Sequence, residues 1–238
     1  MRVSLQGSCS FDHQRLFDDI EFDLASGNWT CLLGSSGSGK TTLLRLIAGL
    51  ETGARFEGQV TFDTDSGFQQ VAYMAQSDLL FPWLTVRQNV MLGPSLRQQA
   101  AQAGKVEELI ECVGLLAHQD KKPHQLSGGM RQRAALARTL MEDTPVVLLD
   151  EPFAALDART RSEMQELTYQ ALEGKTVLLV THDPAEAIRL GHHLFIVQGK
   201  KLAGYPLPQA LPVRPHDDRA CLVAQAELLD QLRKGTYG

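Results

Sequence analysis

Three runs of the chain are apolar with little alternation: WTCLLG at 29–34, VVLLDE at 146–151 and TVLLVTH at 176–182. A strand with one face in water alternates apolar and polar residues, so these runs predict strands covered on both faces, as in a parallel sheet. Helical periodicity lies between them. TTLLRLIAG at 41–49 opens directly after a glycine-rich turn, and ARTRSEMQELTYQALEG places Met164, Leu167, Ala171 and Leu172 on one face. Strands alternating with helices predict βαβ crossovers. Looser alternation, broken by Gly and Asp turns, runs through residues 1–30 and 57–74 and predicts an antiparallel β layer beside the parallel core. Residues 78–143 carry helical patterns and no convincing strand. The expected fold class is therefore α/β, with the core at 1–77 and 144–204 interrupted by an inserted helical subdomain at 78–143. Prolines at 206, 208, 212 and 215 break regular structure in the tail at 205–238, until AELLDQLRKG forms a last short amphipathic helix.

Composition narrows the reading. A chain of 238 residues suits one compact unit rather than two, given about 100–200 residues per domain. Lys and Arg total 23 against 28 Asp and Glu, a net charge of -5 that leaves no basic stripe for a polyanionic backbone. Nucleic acid is not expected as a partner. No apolar stretch reaches the ~20 residues that cross a bilayer, and the N-terminus lacks a signal-peptide pattern. A soluble, cytoplasmic chain is expected. Cys9, Cys31, Cys112 and Cys221 show no C-x-x-C spacing and read as reduced thiols rather than a zinc cluster or a disulfide framework.

The chemistry begins at Gly34-Ser35-Ser36-Gly37-Ser38-Gly39-Lys40-Thr41, which fits G-x-x-x-x-G-K-[ST] between a predicted strand and a helix. Glycines let the backbone curl until successive amides point at phosphate oxygens, and the helix N-terminus adds a favourable field. Lys40 then supplies a cation to the terminal phosphates of ATP, and the Thr41 hydroxyl a ligand for Mg²⁺. The run 146–151 ends on Asp150-Glu151, at the carboxyl end of a strand, where open α/β sheets bind ligands. Asp150 is placed to hold Mg²⁺ through water, and Glu151 to polarise the water that attacks the γ-phosphate.

Phosphate loops occur in many unrelated proteins, so Leu126-Ser127-Gly128-Gly129-Met130-Arg131-Gln132-Arg133, just ahead of a predicted helix, decides between them. Physically it is a second anion site, a hydroxyl and two amides at a helix start; a plain serine cap would look the same. With the order of the other motifs, it resembles the signature of ABC-type ATPases, and the resemblance covers residues 3–204. It implies a P-loop NTPase with a RecA-like parallel core. It also implies a head-to-tail dimer, in which the signature of one copy closes over the γ-phosphate held by the other. Nucleotide contacts then fall to Gly34 through Thr42, including Thr42 itself, and to Ser127, Gly128 and Gly129. Gln76 matches the Q-loop glutamine that contacts Mg²⁺ and water. Asp157, in Ala155-Leu156-Asp157, resembles the D-loop that crosses the dimer interface. His182 matches the switch histidine that senses the γ-phosphate, and Phe11 stands where the family stacks an aromatic on adenine, although a core phenylalanine would fit that position too. Met130 and Ala154 depart from the commoner glutamine and serine, at positions that supply neither phosphate ligands nor the base.

The loop Leu79-Leu80-Phe81-Pro82-Trp83-Leu84 is unusually apolar for a surface. By resemblance it receives the coupling helix of a membrane permease; alternatively Phe81 and Trp83 fill the core of the helical subdomain. LLFPWLTVRQNV, LSGGMRQRAALARTL and PVRPHDDRA are similar to the importer branch serving nitrate, sulfonates, taurine and thiamine-precursor pyrimidines. A pyrimidine is the first solute expected and a sulfonate the second. The partners implied are a second copy, permease subunits and, indirectly, a periplasmic solute-binding protein, with the chain peripheral at the inner face of the membrane. Exporter ATPases, usually fused to their membrane domain, and non-transport ATPases with coiled coils or zinc modules are the rival classes.

Overall fold

The computed structural model describes every residue except 13, 65, 66, 100–102 and 236–238. In chain order the elements begin with strands β1 (Val3–Phe11), β2 (Gln14–Leu24) and β3 (Trp29–Leu33), helix α1 (Lys40–Ile47), and strands β4 (Arg55–Phe62) and β5 (Val71–Met74). Helices α2 (Val86–Val90), α3 (Leu92–Leu96), α4 (Ala103–Cys112) and α5 (Gly128–Met141) follow. The chain then alternates through β6 (Val146–Asp150), α6 (Ala158–Ala171), β7 (Thr176–Thr181), α7 (Pro184–Leu190) and β8 (His193–Gln198). Strand β9 (Lys201–Tyr205) and helix α8 (Arg219–Gly235) complete it. Neighbouring residues group into two compact units, one of Met1–Val71, Pro145–Asp150 and Gly174–Gly238, the other of Ala72–Thr144 and Glu151–Glu173.

The first unit holds two sheets. An antiparallel one has the order β2-β1-β4, with Val3 opposite both Leu24 and Phe62. Val3, Leu5, Cys9, Phe17, Ile20, Phe22 and Leu24 are all buried, which gives this layer one apolar face. The other sheet runs β6-β7-β3-β8-β9 within the unit, parallel except for the antiparallel edge strand β9. Every residue of β3, β6 and β7 is buried, as their unalternating apolar sequences demand. The central strand β3 lies between β7 and β8, and the glycine-rich loop leaves its carboxyl end.

Several expectations are corrected. Residues 71–74 do not join the three-stranded antiparallel sheet, because its outer strand ends at Phe62. In α6 the covered residues are Met164, Gln165 and Thr168, with Leu172 buried just beyond its end, while Ala171 is exposed. A polar Thr168 is tolerated there because its Oγ1 donates to the Met164 carbonyl at 2.6 Å. Helix α8 starts at Arg219, earlier than the amphipathic pattern implies. Asp218 Oδ1 accepts from the Cys221 amide at 2.8 Å and so starts the helix directly after the prolines. The end of the expected tail, 236–238, lies outside the described residues. Strands β8 and β9 and helix α7 were not anticipated.

The second unit contains the helices from α2 to α6. Its strand-end segment 151–157 belongs with α5 for a specific reason. The Gln132 side chain donates to the Glu151 carbonyl at 2.9 Å and accepts from the Ala155 amide at 2.8 Å, clamping the segment to the helix. A Cβ on Gly129 would sit 3.2 Å from the Ala155 carbonyl oxygen, so glycine permits that close approach.

Candidate nucleotide site

In the first unit, residues 34–39 connect β3 to α1, with Gly37 and Gly39 at φ 78° and 94°. Side chains other than glycine rarely adopt those angles, and a Cβ at Gly39 would come within 2.8 Å of Leu16 and Phe17. Left-handed residues in such a loop turn amide groups inward into an anion-binding nest. The Ser38 hydroxyl oxygen is shielded from solvent and has no hydrogen-bond partner among the described residues, an orphan donor of the kind a phosphate oxygen satisfies. Lys40 is 6% exposed, and its ammonium donates to the Gly34 and Ser35 carbonyls at 2.8 and 2.7 Å. Thr41 Oγ1 donates to Asp150 Oδ2 at 2.8 Å, so the loop's hydroxyl and the strand-end carboxylate meet. Thr42 lies half-buried in the first turn of α1. Exposed His182 follows β7 and shares a cavity of about 500 Å³ with Gly34–Ser38 and residues of β8 and α8.

The second unit holds the other predicted residues in two groups. Gln76 donates its amide to the Glu151 carboxylate at 3.3 Å. Glu151 sits at φ 49°, a left-handed conformation uncommon outside glycine and costing about 1–3 kcal/mol. The Gln132 clamp on its carbonyl is among the contacts that hold it there. In the second group, Ser127 caps α5, its Oγ accepting from the Met130 amide at 3.2 Å. Gly128 and Gly129 occupy the first helical positions, whose amides lack intrahelical acceptors and point out of the helix end. Cap and anion site are therefore compatible readings of the same residues. Asp157 caps α6, Oδ1 accepting from the Thr160 amide at 3.1 Å, and that bond holds its carboxyl below the usual range.

Phe11, 39% exposed at the end of β1, is not a core residue. It lines an open pocket with Asp12, Gln14, Arg15 and Lys200, separate from the cavity of the phosphate loop.

The aromatic loop is also on the surface. Leu79, Phe81 and Trp83 are 61%, 38% and 64% exposed, and the two rings meet edge to face at 5.1 Å. Buried Leu80 and Asn89 anchor the segment beneath them. Asn89 accepts from the Phe81 amide at 2.8 Å, and its own amide faces the carbonyls of Phe81, Leu84 and Thr85. Two arginines of α5 hold the near end. Arg131 pairs with Asp78 at 2.9 Å, and Arg138 donates to the Leu79 and Asp78 carbonyls at 2.7 and 2.8 Å. None of Asn89, Gln132 and Arg138 stands out in sequence, because a polar residue in a helix gives no sign of the partners it meets in the fold.

Comparison with known proteins agrees with this geometry. Residues 17–154 match the ABC transporter family. An ABC transporter ATP-binding protein of Haemophilus influenzae, itself uncharacterized, is 41% identical over 94% of this chain and 95% of its own length. The aliphatic sulfonates import ATP-binding protein SsuB of Delftia acidovorans is 43% identical over 97% of this chain and 93% of its own. Among solved structures, the cassette MJ0796, a dimer in a post-hydrolysis state bound to ADP and Pi, superposes with a TM-score of 0.77. That match has 28% identity and covers 87% of this chain and all of the other. With a phosphate loop, a strand-end carboxylate pair and a capped Ser-Gly-Gly helix start in one chain, and relatives alike over nearly its full length, the protein belongs to the ATP-binding subunits of ABC transporters.

Proposed function

We propose that this ATPase powers import through a separate membrane permease, acting as a head-to-tail pair of copies at the inner face of the membrane. The observation that carries the reading is the 2.8 Å contact between Thr41 and Asp150 at the foot of the phosphate loop. These are hard oxygen donors, and Mg²⁺ characteristically takes one or two such protein ligands plus nucleotide phosphates. Thr41 and Asp150 would hold that ion, with Gln76 the further ligand that family resemblance assigns, and the ion would neutralise charge on the β- and γ-phosphates. Lys40 and the loop amides bind the triphosphate, and Phe11 stacks on adenine. Glu151 accepts charge from the attacking water, His182 steadies that water, and Ser127 with the Gly128 and Gly129 amides of the second copy grips the γ-phosphate. Asp157 lies at the contact between copies.

The exposed Leu79, Phe81 and Trp83 make the face for the permease, since solvent-facing aromatics held by a buried polar anchor suit a contact with a partner. Among the described residues no helix is long and apolar enough to cross a membrane. The SsuB names favour an aliphatic sulfonate as the solute, ahead of the pyrimidine that the loop and tail wording suggests. Phosphate release by the purified protein tests the reading. Wild type should turn over ATP with Mg²⁺, Glu151→Gln should bind ATP yet lose at least about 100-fold in turnover, and Lys40→Ala should bind ATP poorly. Turnover near wild type in both variants would overturn it.

A further inference from the structure

The cavity at the phosphate loop has a wall that none of the family motifs supplies. Leu229, Gln231, Leu232 and Arg233, from the last turns of α8, line it together with Gly34–Ser38 and His182. The helix is fixed in place. Leu228 is fully buried and Cys221 nearly so, and α8 packs on α7. The Tyr205 hydroxyl donates to the Ala224 carbonyl at 3.2 Å. The strap leading to the helix is pinned by Arg214, 3% exposed, which donates to the Ile188 and Gly191 carbonyls at 2.6 and 2.8 Å.

The charges around this cavity are one-sided. Among the described residues its lining includes no Asp or Glu, and the ionisable side chains that line it are those of His182 and Arg233. Lys40, although part of the loop, is outside the lining and turned onto the Gly34 and Ser35 carbonyls. A helix C-terminus places partial negative charge beside the cavity, which repels phosphate unless a cation offsets it. Arg233 sits in that last turn, and a guanidinium stays charged at any physiological pH and matches phosphate oxygens in fork geometry.

We propose that Arg233 is a ligand for the terminal phosphate of the bound nucleoside triphosphate, delivered from α8 of the same chain. The proposal rests on the ATP-binding reading and adds a site residue to it. The contact distinguishes ATP from ADP, because only ATP carries the terminal phosphate that Arg233 would meet in the cavity it shares with Gly34–Ser38 and His182.

The test uses the full-length protein and measures ATP and ADP dissociation constants by calorimetry for wild type, Arg233→Gln, Arg233→Lys and Lys40→Ala. Arg233→Gln should weaken ATP binding about tenfold, equivalent to about 1.4 kcal/mol, and ADP binding much less. Arg233→Lys should recover most of the loss, and wild-type affinity should fall more steeply with salt than that of the Gln variant. ATP affinity within twofold of wild type in the Gln variant overturns the proposal, as does equal weakening of ATP and ADP without rescue by Lys. Tighter ATP binding on Arg233→Gln would overturn it too, since α8 would then obstruct the cavity. If wild type itself fails to bind ATP, or Lys40→Ala binds it normally, the ATPase reading fails instead.

Discussion

Phe11 shows how one side chain divides binding from folding. Because it is 39% exposed and lines an open pocket, removing its ring should leave the fold nearly intact. We expect Phe11→Ala to raise the ATP dissociation constant by the worth of one stacking contact, about 1–3 kcal/mol, with the thermal midpoint within a few degrees of wild type. A large fall in midpoint with unchanged affinity would assign the ring to packing. His192 makes the opposite case, a structural group with no part in the chemistry. Its Nδ1 accepts from the Trp29 amide at 3.0 Å, and burial, then the neighbouring His193 and Arg214 charges, holds its pKa below the ordinary 6.5. The unfolded chain takes up this proton near pH 6.5, and the folded chain only at lower pH. Its contribution to stability is therefore present above pH 6.5 and lost as the pH falls below it. Urea unfolding at pH 7.5 and 5.5 should show that loss in wild type and a smaller one in His192→Asn; an equal loss in both would contradict the assignment.

At the scale of elements, α5 ties the Ser-Gly-Gly cap to the surface loop. Arg138 donates to the Asp78 and Leu79 carbonyls, and Arg131 pairs with Asp78, so loop and helix are held together within one unit. Burial pulls the Arg138 guanidinium below its usual pKa, and Asp78 and Glu142 pull it back. Arg138→Met should lower the unfolding free energy by about 1–3 kcal/mol and speed hydrogen exchange at residues 79–84. Unchanged exchange there would show that the loop does not depend on Arg138. The strands β3, β6 and β7 were legible in the sequence because full burial on both faces leaves an unbroken apolar run. Helix α6 was harder to read. Gln165 and Thr168 face inward on it, and periodicity cannot show that a polar group finds a partner inside the fold. The start of α8 was hidden by the prolines before it, although Asp218 is a recognisable cap once the helix is known.

For the whole molecule, the candidate site was legible where spacing carries the chemistry, at Gly34–Thr41, Asp150-Glu151 and Ser127–Gly129. The residues that position these groups were not, because their partners lie far away in sequence: Gln132 on Glu151, Arg138 on Leu79, and the last turn of α8 beside the phosphate loop. The proposed head-to-tail pair would bring the Ser-Gly-Gly helix start of one copy to the phosphate held by the other. The central claim is therefore that ATP joins two copies and that Glu151 hydrolyses it to release them. Gel filtration with light scattering on Glu151→Gln, with ATP and Mg²⁺ and then with ADP, tests this most directly. The account predicts a dimer with ATP and a monomer with ADP; a monomer in both, with ATP shown to be bound, would contradict it.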